Sequence, residues 1–274
     1  MNIEAELALS YYKEIADINK NHEITLVQHV ENKHFFVKKE LSVYNESIYA
    51  ELKNHPLSGL PTIRELEKND DTLIIIEDYI NGETLEDILQ KRPKLSEDET
   101  KHIILQLCDT VTKLHSLTPP IIHRDIKPSN VMITPEGNAI LLDMNAARFD
   151  NSSKDEDTRL LGTKGYAAPE QYGFGPSGVS ADIYALGMLM NTMLTGNISR
   201  EQIHPGHFSS VIKRCLKLNP SERYASVAAL KAALTGNYLW TKYLPPGFRS
   251  LKPTHMLLAI IMYMLIIFGL TGVS

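Results

Sequence analysis

The most chemically dense stretch of the chain is IIHRDIKPSNVMIT, residues 121–134. His123, Arg124, Asp125, Lys127 and Asn130 fall within eight positions, with apolar residues on both sides. Charge this dense between apolar runs suits neither a core strand nor a plain surface loop. Whether it is a working catalytic loop or the remains of one depends on the rest of the chain; its residue types offer a carboxylate that can take a proton, a cation that can steady an anion and an amide oxygen that can ligate a metal. A second carboxylate, Asp143 in LLDM, lies thirteen residues beyond Asn130. A lone Asp after an apolar strand is ordinarily a turn residue, but its place after the charged cluster favours a role in chemistry.

The elements that must hold these residues change character along the chain. ITLVQHV and HFFVKKEL read as strands around the polar turn ENK. YNESIYAELKN places Ile48 and Leu52 on one face of a short helix, and HPLSGLP ends it. TLIIIEDYI, 72–80, is apolar enough for a buried strand. After Gly82 the pattern turns helical. TLEDILQKR is short, whereas SEDETKHIILQLCDTVTKLHSL is long and opens on a capping box, Ser96 and Glu99. NVMIT and AILLDM are short strands, 148–165 is polar, and SADIYALGMLMNTMLTG and ERYASVAALKAALTG are helical. This predicts a small strand-rich lobe over 1–80 and a larger helical lobe over 81–240.

Composition limits the possible partners. The chain has 274 residues, 43% hydrophobic and 22% charged, with a net charge of −5. A basic nucleic-acid-binding surface is not indicated. Cys108 and Cys215, far apart in sequence, form neither a disulfide framework nor a metal-type spacing. The N-terminus lacks the basic start and apolar run of a signal peptide. MLLAIIMYMLIIFGLTGV, 256–273, contains no charge. As a helix it would be about 27 Å long, near a bilayer core's thickness, and it reads as a transmembrane helix joined by a juxtamembrane linker, 241–255. Lys242, Arg249 and Lys252 precede it, which predicts a single-pass cell-membrane protein with its large part in the cytoplasm.

HRDIKPSN resembles the catalytic loop of the protein kinases. The resemblance implies that Asp125 orients the acceptor hydroxyl and takes its proton, Lys127 stabilises the transferred phosphate and Asn130 binds magnesium. His123 would buttress the loop. LLDMNAAR resembles the family's metal motif, with Asp143 as the second metal ligand. Met144 and Asn145 replace the usual Phe and Gly, and Asn tolerates the unusual backbone angles that Gly supplies. GTKGYAAPEQY, 162–172, resembles the end of an activation segment, with Thr163 contacting the catalytic loop as in Ser/Thr-specific members. The resemblance pairs Glu170 with Arg223 of NPSERYAS. Asp182 of SADIYALG would anchor the catalytic-loop backbone. Arg124 would bind a phosphate on the activation segment; the candidate acceptors are Ser152, Ser153, Thr158 and Thr163, with Thr158 the one expected to be autophosphorylated.

In the first lobe, fitting FVK of HFFVKKEL onto the family pattern makes Lys38 the ATP-contacting lysine. Lys39 becomes its outward neighbour, since alternate strand residues face opposite sides. Glu46 is the helix carboxylate expected to hold Lys38, with Glu51 as the alternative. LIIIEDYINGETL resembles the hinge, where Asp78 and Ile80 offer backbone groups to adenine and Glu77 takes a gatekeeper position that is usually apolar. The main departure is the nucleotide loop. The stretch 15–27 has no glycine, so Asn19, Asn21 and His22 must make its turn.

The resemblance covers about residues 11–235. It implies an α+β, two-lobed protein-kinase fold plus one C-terminal transmembrane helix. It further implies an eukaryotic-like Ser/Thr protein kinase of bacterial type, using ATP with magnesium or manganese on protein substrates and touching membrane lipid through 256–273. The alternative is a pseudokinase, a membrane-bound nucleotide-binding or scaffold module.

Overall fold

The computed structural model of the protein describes residues 3–19, 24–150, 163–172 and 178–236, together with 257, 260 and 262–264. The first lobe opens with a helix that the sequence pattern did not predict, α1 (Ile3–Ser10), of which only Ala5 is buried. Five strands follow: β1 (Tyr12–Asn19), β2 (Ile24–His29), β3 (Phe35–Leu41) and, after helix α2 (Glu46–Asn54), β4 (Ile63–Asn69) and β5 (Thr72–Asp78). They form one antiparallel sheet in the order β1-β2-β3-β5-β4. Because successive side chains alternate across a sheet, β3 presents two different faces. Val27, Phe36 and Ile76 make a small apolar cluster on one face. Leu41, Leu73 and Ile75 of the other join the main core with Ile48, Tyr49 and Leu52 of α2.

The second lobe begins at β6 (Glu83–Thr84) and α3 (Leu85–Lys91), whose first turn is capped by the Thr84 hydroxyl accepting the Asp87 N–H. The long helix α4 (Glu97–His115) starts at the Ser96–Glu99 capping box. A cap contributes about 1 kcal/mol. Its buried stripe, Ile104, Leu107, Val111 and Leu114, contributes about 1.5–3 kcal/mol for each side chain and dominates. Short strands β7 (Ile121–Ile122), β8 (Val131–Ile133), β9 (Ala139–Leu141) and β10 (Arg148–Phe149) carry the loops between them. β10 pairs with β7, and β8 lies between β6 and β9. Helix α5 (Val179–Thr195) is buried along nearly its whole length and ends at Gly196, whose left-handed φ of 74° suits glycine. Helices α6 (Ser209–Cys215) and α7 (Val227–Leu234) pack around it. One apolar cluster runs from Leu73 and Ile75 in the first lobe to Leu186, Ile212 and Leu230 in the second. The catalytic and metal-motif loops therefore sit between two lobes that share a core.

The sequence predicts a membrane-spanning helix over 256–273, and the structure corrects this. Among the described residues no helix is long and apolar enough to cross a membrane. A span needs about 20 consecutive, mostly apolar helical residues. Within 256–273 only Leu257, Ile260 and Met262–Met264 are described; the rest, like the linker 241–255, lie outside the described residues. Lack of charge gives a segment the composition of a span, and composition is all that the sequence reading rested on. The transmembrane helix, the lipid contact and the single-pass cell-membrane placement are withdrawn with it.

Candidate active site

Asp182, on α5, organises the catalytic loop from beneath. Its side chain is fully buried. Oδ2 accepts the His123 backbone N–H at 2.9 Å, Oδ1 accepts the Arg124 N–H at 2.8 Å, and His115 Nε2 donates to Oδ2 at 2.8 Å. Burial works to raise the Asp182 pKa, but these donors, His115 first, outweigh it and hold the carboxyl below its usual range. At Arg124 the chain takes a left-handed φ of 69°. Gln171 secures the turn from the other side, its Nε2 donating to the Arg124 carbonyl at 2.8 Å. His123 Nε2 faces the Leu142 carbonyl at 3.1 Å; a carbonyl only accepts, so that nitrogen carries the proton. Its Nδ1 then accepts the Asp125 N–H at 3.3 Å.

Asp125 is the focus of a closed set of hydrogen bonds. Lys127 Nζ lies 2.8 Å from its Oδ2, and Asn130 Nδ2 donates to the same oxygen at 3.0 Å. Thr163 donates to Oδ1 through its N–H at 3.1 Å and its hydroxyl at 2.8 Å. Lys127 also donates to the Thr163 hydroxyl at 2.7 Å. Burial alone would raise the Asp125 pKa; the Lys127 ammonium and the Thr163 hydrogen bond bring it below the ordinary carboxylate value. Asp125 is thus an oriented, charged acceptor with a cation beside it.

Asn130 has both backbone and side chain committed to this geometry. Its Nδ2 also donates to the Asp125 carbonyl at 2.9 Å, and its own carbonyl accepts the Leu142 N–H at 2.8 Å. With the amide nitrogen engaged, the Asn130 Oδ1 is the atom left for a metal. The second bond sets Asp143 beside the loop. Asp143, not Asn145, takes the left-handed angle in this motif, with φ of 59°. Its Oδ1 accepts the Asn145 N–H at 3.0 Å, a local bond that lets Asp occupy such a turn. Met144 is buried in the main core, which ties the motif to the scaffold. A neutral amide oxygen and a carboxylate suit magnesium, which takes its other ligands from phosphates and water.

The cleft lysine is Lys39, not Lys38. β3 pairs Lys38 with Ile76 and Lys39 with Ile75, and Ile75 belongs to the core on the cleft side. Lys38 turns to the opposite face, where Nζ meets Glu14 at 2.8 Å and Glu40 at 2.7 Å. Lys39 Nζ lies 2.6 Å from Glu77 Oε1, with both side chains about nine-tenths buried (11% and 10% exposed). Desolvation would lower the Lys39 pKa, yet Glu77 and then Asp143 raise it above the usual value. Glu46 does not reach either lysine; it lies 3.7 Å from Lys68 on an exposed edge. The α2 residue that does enter the site is Tyr49, whose hydroxyl donates to Asn145 Oδ1 at 2.5 Å. Tyr49 is missing from the sequence-based set, as is Gln171, and neither belongs to a motif that would have announced it.

A cleft of about 740 Å³ opens between the lobes, lined by Ile24, Val37, Lys39, Glu77, Ile80, Asn130 and Leu142 among others. Asp78 and Ile80 both border it. The Asp78 N–H is taken by the Thr62 carbonyl at 2.9 Å and its carboxylate by Arg64, so Asp78 can offer a ligand only its carbonyl. The nucleotide loop's turn, 20–23, lies outside the described residues, as do Thr158, Ser152 and Ser153.

Behind the catalytic loop, Glu170 and Arg223 form a buried two-pronged ion pair at 2.6 and 2.8 Å. Arg223 also donates to the carbonyls of Lys217, Ser180 and Leu218. Gln171 Oε1 accepts the Ala168 N–H, so the residues after Thr163 are pinned to both Arg124 and the α5 region.

A strand-rich lobe and a helical lobe closing on an Asp-Lys-Asn loop, a second Asp and a buried lysine define a nucleotide-dependent phosphotransferase of the protein-kinase kind. The chain belongs to that family: a model of the protein kinase domain matches residues 15–211. Among curated proteins it is similar to Serine/threonine-protein kinase F of Synechocystis, 29% identical over 66% of this chain and 40% of the relative. It is 28% identical to Serine/threonine-protein kinase D of the same organism, over 80% of this chain and 44% of the relative. With Serine/threonine-protein kinase PrkC of Bacillus subtilis it shares 31% identity over 61% of this chain and 26% of the relative. The chain thus spans less than half the length of these relatives.

Proposed function

We propose that the chain is the catalytic domain of a serine/threonine protein kinase that moves the γ-phosphate of ATP to a protein hydroxyl. The observation that carries this reading is the Asp125–Lys127–Thr163 ring. It sets a charged acceptor and a cation side by side on the loop whose Asn130 lines the cleft. In this reading ATP lies between the lobes, with its adenine edge against the backbone of Asp78 and Ile80. Lys39 points at its phosphates. Asn130 Oδ1 and the Asp143 carboxylate hold the accompanying magnesium, which neutralises phosphate charge when bound. Asp125 aligns the acceptor hydroxyl with the γ-phosphorus and receives its proton as the new O–P bond forms and the γ-phosphorus–oxygen bond to the departing ADP breaks. Lys127 balances the charge on the transferred group.

The segment from Thr163 to Gln171 supports a protein acceptor, since it is bonded to Asp125 at one end and to the Arg124 carbonyl at the other. The relatives named as serine/threonine kinases support the same choice. Incubation with MgATP and candidate acceptor proteins, followed by phosphopeptide sequencing, tests it. Phosphate on Ser and Thr is expected, and its absence from every protein acceptor, the chain included, would refute it. The same experiment bears on regulation. In this reading Thr158 is autophosphorylated and its phosphate pairs with Arg124; no phosphate anywhere between 148 and 165 would remove that step.

A further inference from the structure

A lysine that faces ATP phosphates from a buried position needs a carboxylate to hold its ammonium in place, because burial works against the charge. Helix α2 does not provide one here. Glu46 stands 3.7 Å from Lys68, and Glu51 pairs with His55 at 3.0 Å. The inward position of α2 is filled instead by Tyr49, which is bonded to Asn145. The carboxylate comes from the sheet. Glu77 faces Val37 across the β3–β5 ladder, two residues along from the Lys39–Ile75 pair and therefore on the same face. Such diagonal neighbours are held within reach by the backbone ladder itself. Glu77 Oε1 and Lys39 Nζ meet at 2.6 Å, and both line the cleft.

We propose that Glu77 is the positioning residue for Lys39, replacing a helix carboxylate with one built into the strand that leads to the hinge. The proposal rests on the kinase reading above. Its consequence is that the Lys39 ammonium keeps its place whatever α2 does. Movements of α2 act through Tyr49 and Asn145 on the metal-binding turn and not through the lysine. A carboxylate in this place also makes the inner end of the adenine side polar, so nucleotide and lysine share one charged wall.

Full-chain variants Glu77→Gln, Lys39→Met, the double variant and Glu46→Gln decide the matter through MgATP affinity and through kcat and KM for transfer. Loss of one charge-assisted contact predicts affinity about tenfold weaker in Glu77→Gln. The double variant should be no weaker than Lys39→Met alone, because Glu77 acts through the lysine. Glu77→Asp should recover part of the loss, and Glu46→Gln should stay within about twofold of wild type. Melting midpoints of each variant separate a folding defect from a positioning one. Losses that multiply in the double variant, an equal loss in Glu46→Gln, or tighter ATP binding by Glu77→Gln would each overturn the proposal. The last of these would mean that Glu77 withholds Lys39 from the nucleotide. A wild type that binds MgATP without transferring phosphate would defeat the kinase reading, while the affinity cycle would still judge Glu77. A wild type that binds no MgATP would defeat both.

Discussion

The carboxylate of Asp182 accepts the backbone N–H of Arg124 at 2.8 Å, although the two residues are 58 positions apart. This bond, with its companion to His123, joins the most buried helix of the second lobe to the loop that carries Asp125. Removing the carboxylate leaves two buried N–H groups and the His115 ring without their acceptor. Asp182→Ala should therefore lower unfolding free energy by about 3–5 kcal/mol, read from urea or thermal unfolding. Unchanged stability would show that water or a neighbour replaces the carboxylate.

The same residue fixes a pH dependence. The Asp182 and Asp125 carboxyls are held below their ordinary values in the folded protein. A group depressed on folding contributes stability that is fully present above its unfolded pKa, about 3.9 for Asp, and that is lost as pH falls through the folded value. Unfolding free energy should thus fall steeply below about pH 4. The Asp182→Asn variant should show a shallower acid limb. Equal acid limbs in wild type and variant would place the acid-sensitive groups elsewhere.

Thr163 closes the ring around Asp125 by donating to it and accepting from Lys127. Thr163→Val keeps the shape and removes the hydroxyl. Since small misplacements of reacting groups cost up to about a hundredfold, kcat should fall by about ten- to a hundredfold with ATP KM little changed. A rise in ATP KM with kcat intact would assign Thr163 to nucleotide binding.

The two lysines of β3 separate cleanly. Lys38→Met should leave ATP affinity within about twofold of wild type, since its partners Glu14 and Glu40 lie on the other face and surface pairs contribute little. Lys39→Met should cost at least about tenfold in affinity or kcat. Isothermal titration with MgATP and a steady-state assay compare them, and the reverse order would restore Lys38 as the cleft lysine.

Arg223 is expected to resist conservative change. Its guanidinium grips Glu170 with two nitrogens and serves the carbonyls of Lys217, Ser180 and Leu218. Lysine cannot reproduce that fork. Arg223→Lys should destabilise the fold by about 2 kcal/mol or more, and Arg223→Ala by about 3–5 kcal/mol, in chemical unfolding.

The sequence showed most clearly those parts of the site that are local. HRDIKPSN sets Asp125, Lys127 and Asn130 a few residues apart, so their grouping survives any error in element boundaries. The capping box at Ser96 and Glu99 is local as well, and it opens α4 where the pattern places it. What needed three dimensions was less visible. Strand alternation required one of Lys38 and Lys39 to face the cleft, but which one depends on the register of β3 against β5. Glu77 was evident as a polar residue at the hinge, whereas its bond to Lys39 depends on that same register. Tyr49 read as an ordinary helix residue because its hydroxyl finds a partner 96 positions away. Gln171 reaches the Arg124 carbonyl across 47 positions, and no spacing rule connects a Gln to a distant backbone oxygen. The expectation at 256–273 rested on composition alone, and among the described residues no helix is long and apolar enough to cross a membrane.

The central claim is that Asp125 works as a catalytic group and not as a relic in a nucleotide-binding module. Single-turnover transfer of labelled phosphate from saturating MgATP, compared between wild type and Asp125→Asn, tests it most directly. The ring of bonds around Asp125 predicts transfer at least about a hundredfold slower in the variant, with MgATP affinity within about twofold. Equal transfer rates in the two proteins, or no transfer by either, would contradict it.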